Sequence, residues 1–425
     1  MTDARPGRGR AAAVAPRVGL FGKLGSGNIG NDCSMESVLN YLRAAHPDAV
    51  VDAMCTGPAR ISSVYGIPTV QLFWYERYAG RVSGVAAIPV KLIGKGMDAV
   101  SIARWVRRHD VVIVPGMGVL EASLPLPALE FPYCMFLLGA SGRLFRTKVA
   151  LVSVGAGAIK QRLTRTLFNG AARLAFYRSF RNESSREAMI RRGVDVSGDR
   201  VFPDLAFALP VDSDGEGAPQ TVGVGVMSYY GSNADRDRAE EINAAYMTGM
   251  KQFVRWLVDS GRNVRLILGD TNGSDEAALA EILADVAVTR PGLAEGRVTA
   301  GAVDTFADVL REMAGVQSAV ATRFHNLVAA LMLARPTVAI SYSAKHDALM
   351  ADMGLPEFSE PANSLDCDQL VEKFLAAERR SAEVRQVLLE RNADNVRLLD
   401  EQFALLSELL FGQQRAEVAK ALASR

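Results

Sequence analysis

Short, continuously apolar runs alternate along this chain with helix-length amphipathic segments, and that alternation limits its fold more than any other feature. Arg17 to Gly22 (RVGLFG) reads as a strand followed by a glycine-rich loop. Met35, Val38, Leu39 and Leu42 then recur at helical spacing, with Pro47 just beyond the stop. A second strand is expected at Ala49–Met54. The three pieces form a βαβ unit, which requires parallel strands with helices on the sheet faces. Further strands are expected at Val111–Val114 and Lys148–Val154, whose unbroken apolar character suits a sheet covered on both sides.

After Leu209 the composition shifts. Pro210 to Gln220 (PVDSDGEGAPQ) is acidic and non-periodic and carries Gly and Pro, so it reads as a linker. Beyond it the alternation restarts. Strands are expected at Val222–Met227, Val264–Leu268, Ser318–Thr322 and Thr337–Ile340. Helices are expected around Glu240–Leu257, Glu276–Ala284, Phe306–Met313 and Asn326–Leu333. From about Ser364 onward the chain reads as helical. The expected fold class is therefore α/β, with two doubly wound halves. The expected divisions are a disordered tail over 1–16, a first domain over 17–209, the linker over 210–220, a second domain over 221–363 and a C-terminal helical segment over 364–425.

A length of 425 residues suits two or three domains, and a 49% hydrophobic share supplies their cores. Lys and Arg total 48 against 47 Asp and Glu, so no global field favours nucleic acid, and no nucleic-acid partner is expected. Cys33, Cys55, Cys134 and Cys367 lie far apart without a CxxC spacing, which argues against a disulfide framework or a zinc knuckle and for a reducing compartment. No metal is expected. The apolar run Ala11–Ala15 is too short for a signal-peptide core, and Leu327–Ile340 is interrupted by Arg335 and Pro336. A cytoplasmic location is the expectation.

Two doubly wound halves that face each other form a cleft at the carboxyl ends of their strands, where ligands of open α/β sheets collect. The residues just after strands are therefore the site candidates. Gly25-Ser26-Gly27-Asn28-Ile29-Gly30-Asn31-Asp32 joins the first strand to its helix, and its backbone and helix N-terminus suit a phosphate or carboxylate. The plainer reading is a tight turn with Asp32 capping the helix. Gly116 and Gly118, then Gly155 and Gly157, follow the next strands and either line the cleft or form ordinary turns. Arg181 precedes a helix expected to begin at Ser184 or Ser185, and is either a fork aimed at a ligand or a solvated arginine.

Ala321-Thr322-Arg323-Phe324-His325-Asn326 is the most informative stretch, because Arg and His two residues apart at a strand end can hold an oxyanion and deliver a proton. His325 is either a satisfied core histidine or a catalytic one, while His46 and His109 are expected to face solvent. Ser341-Tyr342-Ser343-Ala344-Lys345-His346 places hydroxyls and a cation at another helix start, with capping by Ser343 as the plainer account. The basic run from Arg143 to Arg181 either rests on an anionic membrane that presents a lipid-linked acceptor or forms a solvated helical face.

In this order, the stretches resemble the polysaccharide pyruvyl transferase family. The resemblance runs through Gly25–Gly30, Pro115–Gly118, Val154–Gly157, Arg181–Ser184, Asp204–Phe207, Arg323–His325, Ile340–Lys345 and Met353–Leu355. It implies a GT-B-like arrangement of two Rossmann-like domains facing across a cleft, with C-terminal helices. It also implies transfer of the carboxyvinyl group of phosphoenolpyruvate, a co-substrate rather than a cofactor, onto a sugar or lipid-linked oligosaccharide to form a ketal. Under that resemblance Arg323 and Arg181 clamp the donor with Lys345, beside Gly27, Asn28 and Gly30, and His325 protonates the methylene carbon. Gly116, Gly118, Gly155, Gly157, Asp270, Ser341 and Tyr342 would line the cleft. This chain departs from the family pattern where Asn31 stands at the usual Asp place and where Met117 interrupts a glycine triplet. Two other readings remain: a nucleotide-sugar glycosyltransferase in which Asp270 contacts a sugar, and a non-catalytic binding protein on the same fold.

Overall fold

The apolar runs build two parallel sheets. The first holds β1 (Arg17–Gly22), β2 (Val50–Cys55), β3 (Thr69–Gln71), β4 (Val111–Pro115), β5 (Lys148–Val154), β6 (Tyr177–Phe180) and β7 (Arg200–Val201), in the order β3-β2-β1-β4-β5-β6-β7. The second holds β8 (Ala218–Val226), β9 (Asn263–Leu268), β10 (Val298–Ala300), β11 (Val316–Ala321), β12 (Thr337–Ser341) and β13 (Ser359–Pro361), in the order β10-β9-β8-β11-β12-β13. Every strand pairing among the described residues is parallel, for example Val18 with Val51 and Val224 with Leu266. In each sheet the winding reverses beside the first strand, between β1 and β4 and between β8 and β11, which opens a crevice at the strands' carboxyl ends. This computed structural model describes residues 15–78, 87–121, 127–211, 215, 217–270, 273–293 and 295–422.

The long buried strands stand where their apolar runs place them. β3, β6, β7, β10 and β13 are two to four residues long and too mixed in burial to leave an apolar run, so the sequence pattern passes over them. β8 starts at Ala218, inside the expected linker. Its first three residues are exposed, and the Ala218 amide donates to the Gly315 carbonyl at 3.0 Å, so pairing begins before apolarity does. The tail at 1–14 and linker positions 212–214 and 216 lie outside the described residues.

His46 and His109 do not face solvent; both are buried. The His46 ring packs on Phe411 at 3.9 Å between centroids, and its Nε2 hydrogen bonds with the hydroxyls of Tyr41 (3.1 Å) and Ser407 (2.9 Å). His109 lies between the Trp105 carbonyl (2.7 Å) and the Asp52 carboxylate (3.0 Å). His109 has a polar partner for each ring nitrogen and His46 has two for its Nε2, which is what lets an imidazole stay inside.

The C-terminal helices join the halves a second time. The helix Cys367–Arg379 packs Phe374 against Phe253 and Trp256 of the second domain. The next helix, Ser381–Leu406, is about 39 Å long at about 1.5 Å per residue and reaches back to the first sheet. Asn392 on that helix donates to the Leu331 carbonyl at 2.9 Å, while Phe403 stacks on Tyr41 at 4.6 Å and 6°. Gln402, fully buried, donates to Ser179 Oγ at 2.8 Å and accepts from Ser153 Oγ at 3.1 Å. Removing a buried phenyl ring costs about 3–5 kcal/mol. Phe403→Ala should therefore lower the urea unfolding free energy by roughly that amount; a loss below about 1 kcal/mol would mean the helix is not anchored through this stack.

Candidate active site in the interdomain cleft

The loop after β1 and the start of the helix Phe324–Met332 meet across the cleft. The helix Ile29–Ala45 is capped by Asn28, whose Oδ1 accepts from the Asn31 amide at 3.1 Å. Asp32, expected to be the cap, instead turns back and accepts from the Gly25 amide at 2.7 Å. Gly30, in the first helical turn, faces the His325 ring. A Cβ at position 30 would lie 1.8 Å from His325 Cε1, so only a glycine permits this approach. Arg60 binds the same junction from the side, 3.5 Å from Asp32 and 2.6 Å from Asp304 of the other domain.

The two other glycine-bearing loops are joined to each other. The Gly155 amide donates to the Met117 carbonyl at 2.7 Å, and the Leu120 amide donates to Gly155 at 3.1 Å. Gly116 has φ +51 and Met117 φ +59, so the turn after β4 places even a methionine in the left-handed region. The glycines make room for charge. A Cβ at Gly155 would meet Arg181 Nη2 at 2.7 Å, and Cβ atoms at Gly118 and Gly157 would meet Glu121 at 1.9 and 3.2 Å.

Arg181 directly follows β6, ahead of the helix Glu183–Arg191. Asn182 caps that helix by accepting from the Ser185 amide at 3.0 Å, so the helix starts one or two residues before the expected serines. The Arg181 side chain is only 7% exposed. Its Nη1 is 3.6 Å from Asp204 and its Nη2 is 3.8 Å from Glu121, yet among the described residues its guanidinium makes no hydrogen bond, and its buried Nε has no partner. The guanidinium lies 5.5 Å from the Phe324 ring, and Lys345 Nζ stands over the same ring at 5.3 Å.

His325 is half-buried, with its Nε2 sealed and without a hydrogen-bond partner among the described residues. Burial lowers its pKa to about 4; Asp204 opposes that shift, while Arg181 and Lys345 add to it. Lys345 is held at about 8, chiefly by burial and then by Arg181. His346 is the satisfied core histidine of this region. Its Nε2 donates to the Thr322 carbonyl at 3.0 Å and its Nδ1 accepts from Ser343 Oγ at 3.0 Å, so Ser343 spends its hydroxyl on the ring rather than on a helix cap.

The expected candidates thus divide. His325, Arg181, Lys345, Gly30, Gly118, Gly155 and Gly157 converge. Arg323 is differently placed: its Nε and Nη2 bind the fully buried Asp275 at 2.8 and 2.6 Å, with Asp270 4.0 Å from Nη1 and Tyr342 in hydrogen-bond contact. The fork expected to clamp a donor is taken by a carboxylate of its own domain. Tyr342 packs on His346 at 4.3 Å, and Ser341 Oγ donates to the Ser343 carbonyl at 3.3 Å. Gly27 lies in the first loop, and Asn28 is exposed with its side chain engaged in capping. Sequence reasoning missed Glu121, whose only signal was an acid shortly after a glycine motif, and gave no site role to Asp204 although it opens one of the family-like stretches; these are the two carboxylates flanking Arg181.

Two Rossmann-like domains facing across a cleft, closed by C-terminal helices, make this a GT-B-like α/β fold. Solved structures show the same architecture at low identity. A putative UDP-N-acetylglucosamine 2-epimerase from Listeria monocytogenes superposes with TM-score 0.61 at 11% identity, covering 94% of this chain and 98% of its own. The UDP-GlcNAc 2-epimerase of Methanocaldococcus jannaschii gives 0.55 at 11%, covering 85% and 91%. The apo form of the lipopolysaccharide outer core galactosyltransferase WaaB gives 0.53 at 11%, covering 93% and 99%. No curated protein matches the sequence. The model of the polysaccharide pyruvyl transferase family matches residues 28–344, and the chain belongs to that family. It is thus a member of a transferase family whose description implies a sugar or polysaccharide acceptor.

The buried histidines make stability depend on pH. Burial lowers the His346 pKa to about 3, below the ordinary 6.5, so the folded ring stays neutral where the unfolded one takes a proton. Stability is therefore full above pH 6.5 and falls as pH drops toward that lower value, by roughly 2 kcal/mol for this residue by pH 5. Urea midpoints should decline over that window, and less steeply in His346→Gln. A flat profile in the native protein would contradict the buried, neutral assignment.

Proposed function

We propose that the chain is a phosphoenolpyruvate-dependent pyruvyl transferase that forms a pyruvate ketal on a sugar. The observation that carries this reading is Arg181, a buried guanidinium with no hydrogen bond among the described residues, beside Lys345 and a His325 Nε2 that has no partner among them either. A buried cation with open donors calls for an anion that accepts from it. Phosphoenolpyruvate offers a carboxylate and a phosphate to two cations, and its methylene carbon to an acid between them. Arg181 and Lys345 bind the donor, while Arg323, committed to Asp275, positions Tyr342 and the first turn that carries His325.

The chemistry follows in two additions. Protonated His325 gives its proton to the methylene carbon, C2 becomes oxocarbenium-like, and a sugar hydroxyl adds to C2. Glu121, partly exposed beside Arg181, takes the proton that hydroxyl loses. A second hydroxyl then attacks C2, the C2–O bond to phosphate breaks, and the second hydroxyl's proton leaves with the phosphate. The products are the ketal and inorganic phosphate. Before a donor binds, His325 is neutral near pH 7, because burial and the two cations oppose its charge. A bound donor offsets those cations and favours the imidazolium, so the substrate helps to charge its own acid.

A positioned general acid contributes about 10²–10⁴-fold. His325→Asn should lose donor-dependent phosphate release by that factor while keeping its melting temperature. Arg181→Gln should weaken phosphoenolpyruvate binding by about 1.5–3 kcal/mol. Normal phosphate release in both variants, or thermal stabilisation by nucleoside diphosphates and none by phosphoenolpyruvate, would overturn the reading.

A further inference from the structure

One face of the first domain carries a surface unlike the rest of the molecule. The connections β3–β4, β4–β5 and β5–β6 all cross the sheet in one direction, opposite to the connection from β1 to β2. Right-handed crossovers therefore place the helices Ala87–Val106, Phe131–Phe145 and Arg162–Leu174 side by side on one face, away from the helix Ile29–Ala45. Between Phe131 and Asn182 the sequence contains no Asp or Glu. The one acid of the helix Ala87–Val106, Asp98, is buried and accepts from the Trp74 amide at 2.7 Å.

Lys95 takes Asp98 as its partner at 3.3 Å, and most other cations of this face are left without one among the described residues. Arg104, Arg143, Arg146, Lys160, Arg162 and Arg165 are exposed, and none forms an ion pair among the described residues. Elsewhere on the surface, exposed arginines pair within a turn of helix, as Arg186 does with Glu183, Arg238 with Glu241 and Arg397 with Asp394. The chain as a whole is nearly neutral, at +1, so the excess is local. Large apolar side chains stand among these cations. Leu144 is 73% exposed, Leu163 55% and Phe176 52%, and Ile93, Met97 and Val100 form an exposed stripe at helical spacing.

We propose that this three-helix face docks the protein on an anionic lipid surface. Unpaired arginines interleaved with solvent-facing apolar side chains match a headgroup layer, where cations meet anionic lipids and apolar ends enter the acyl boundary. A nucleic acid would use the cations alone and leave Leu144, Leu163 and Phe176 in water. Lys160 and Arg162 follow directly on the Gly155–Gly157 loop, so the face begins at the rim of the cleft. A lipid-linked acceptor would then lie beside the cleft mouth. The docking does not depend on the donor chemistry, because lipid binding is read without turnover.

The test is co-sedimentation of the full chain with vesicles of phosphatidylcholine alone or of equal parts phosphatidylcholine and phosphatidylglycerol, at about 0.1 M salt, where screening reaches about 10 Å. Binding is expected to the anionic vesicles only. The combined variant Arg143→Gln, Arg146→Gln, Arg162→Gln, Arg165→Gln should bind about tenfold more weakly or worse. Leu144→Ser, Leu163→Ser, Phe176→Ser should lose the part of the binding that survives high salt. All these positions are exposed, so circular dichroism melts should match those of the unmodified protein. No binding by the folded chain, undiminished binding by the charge variant, or tighter binding to an RNA homopolymer than to anionic vesicles would overturn the proposal.

Discussion

The contact between Gly30 and His325 sets the geometry on which the rest of the cleft depends. It brings the first helical turn of one domain against the first turn of a helix in the other, and it exists only because position 30 has no side chain. The helix Ser381–Leu406 and the Arg60–Asp304 pair hold the domains in that register from two further points. A ring seated this closely on backbone loses water, and lost water lowers its pKa. One close approach therefore fixes where the imidazole sits and favours its neutral form.

Charge is arranged around it with the same economy. Gly118, Gly155 and Gly157 leave space for Glu121 and Arg181, and Arg181 and Lys345 both stand over the Phe324 ring. Two carboxylates stand near Arg181 at distances that attract without hydrogen bonding. Such a guanidinium is held in place electrostatically while its donors stay open. Arg323 shows the opposite state, with its fork bound to Asp275. The contrast separates a guanidinium whose donors stay open from one bound into the scaffold.

Much of the fold was legible in the sequence because long parallel strands buried on both sides leave unbroken apolar runs, as β1, β4 and β5 do. The short strands left no such trace. The glycine loops were found as backbone that lines a cleft, but part of their reason lay in the third dimension: Gly30 admits His325 and Gly155 admits Arg181, residues distant in sequence. The same limit explains Arg323, whose spacing from His325 suggested a ligand clamp. Its partner Asp275 lies 48 residues away on another helix, where no local pattern reaches. His46 and His109 were misjudged for a related reason, since their polar neighbours Ser407 and Asp52 come from remote segments.

The measurement closest to the central claim is calorimetric titration of the full chain with phosphoenolpyruvate near pH 7, in two buffers of different ionisation enthalpy. If the donor's charge offsets Arg181 and Lys345 and recharges His325, the unmodified protein should take up more protons on binding than His325→Asn does, with the difference approaching one proton. Equal proton uptake in the two proteins, or no binding at all, would contradict the account.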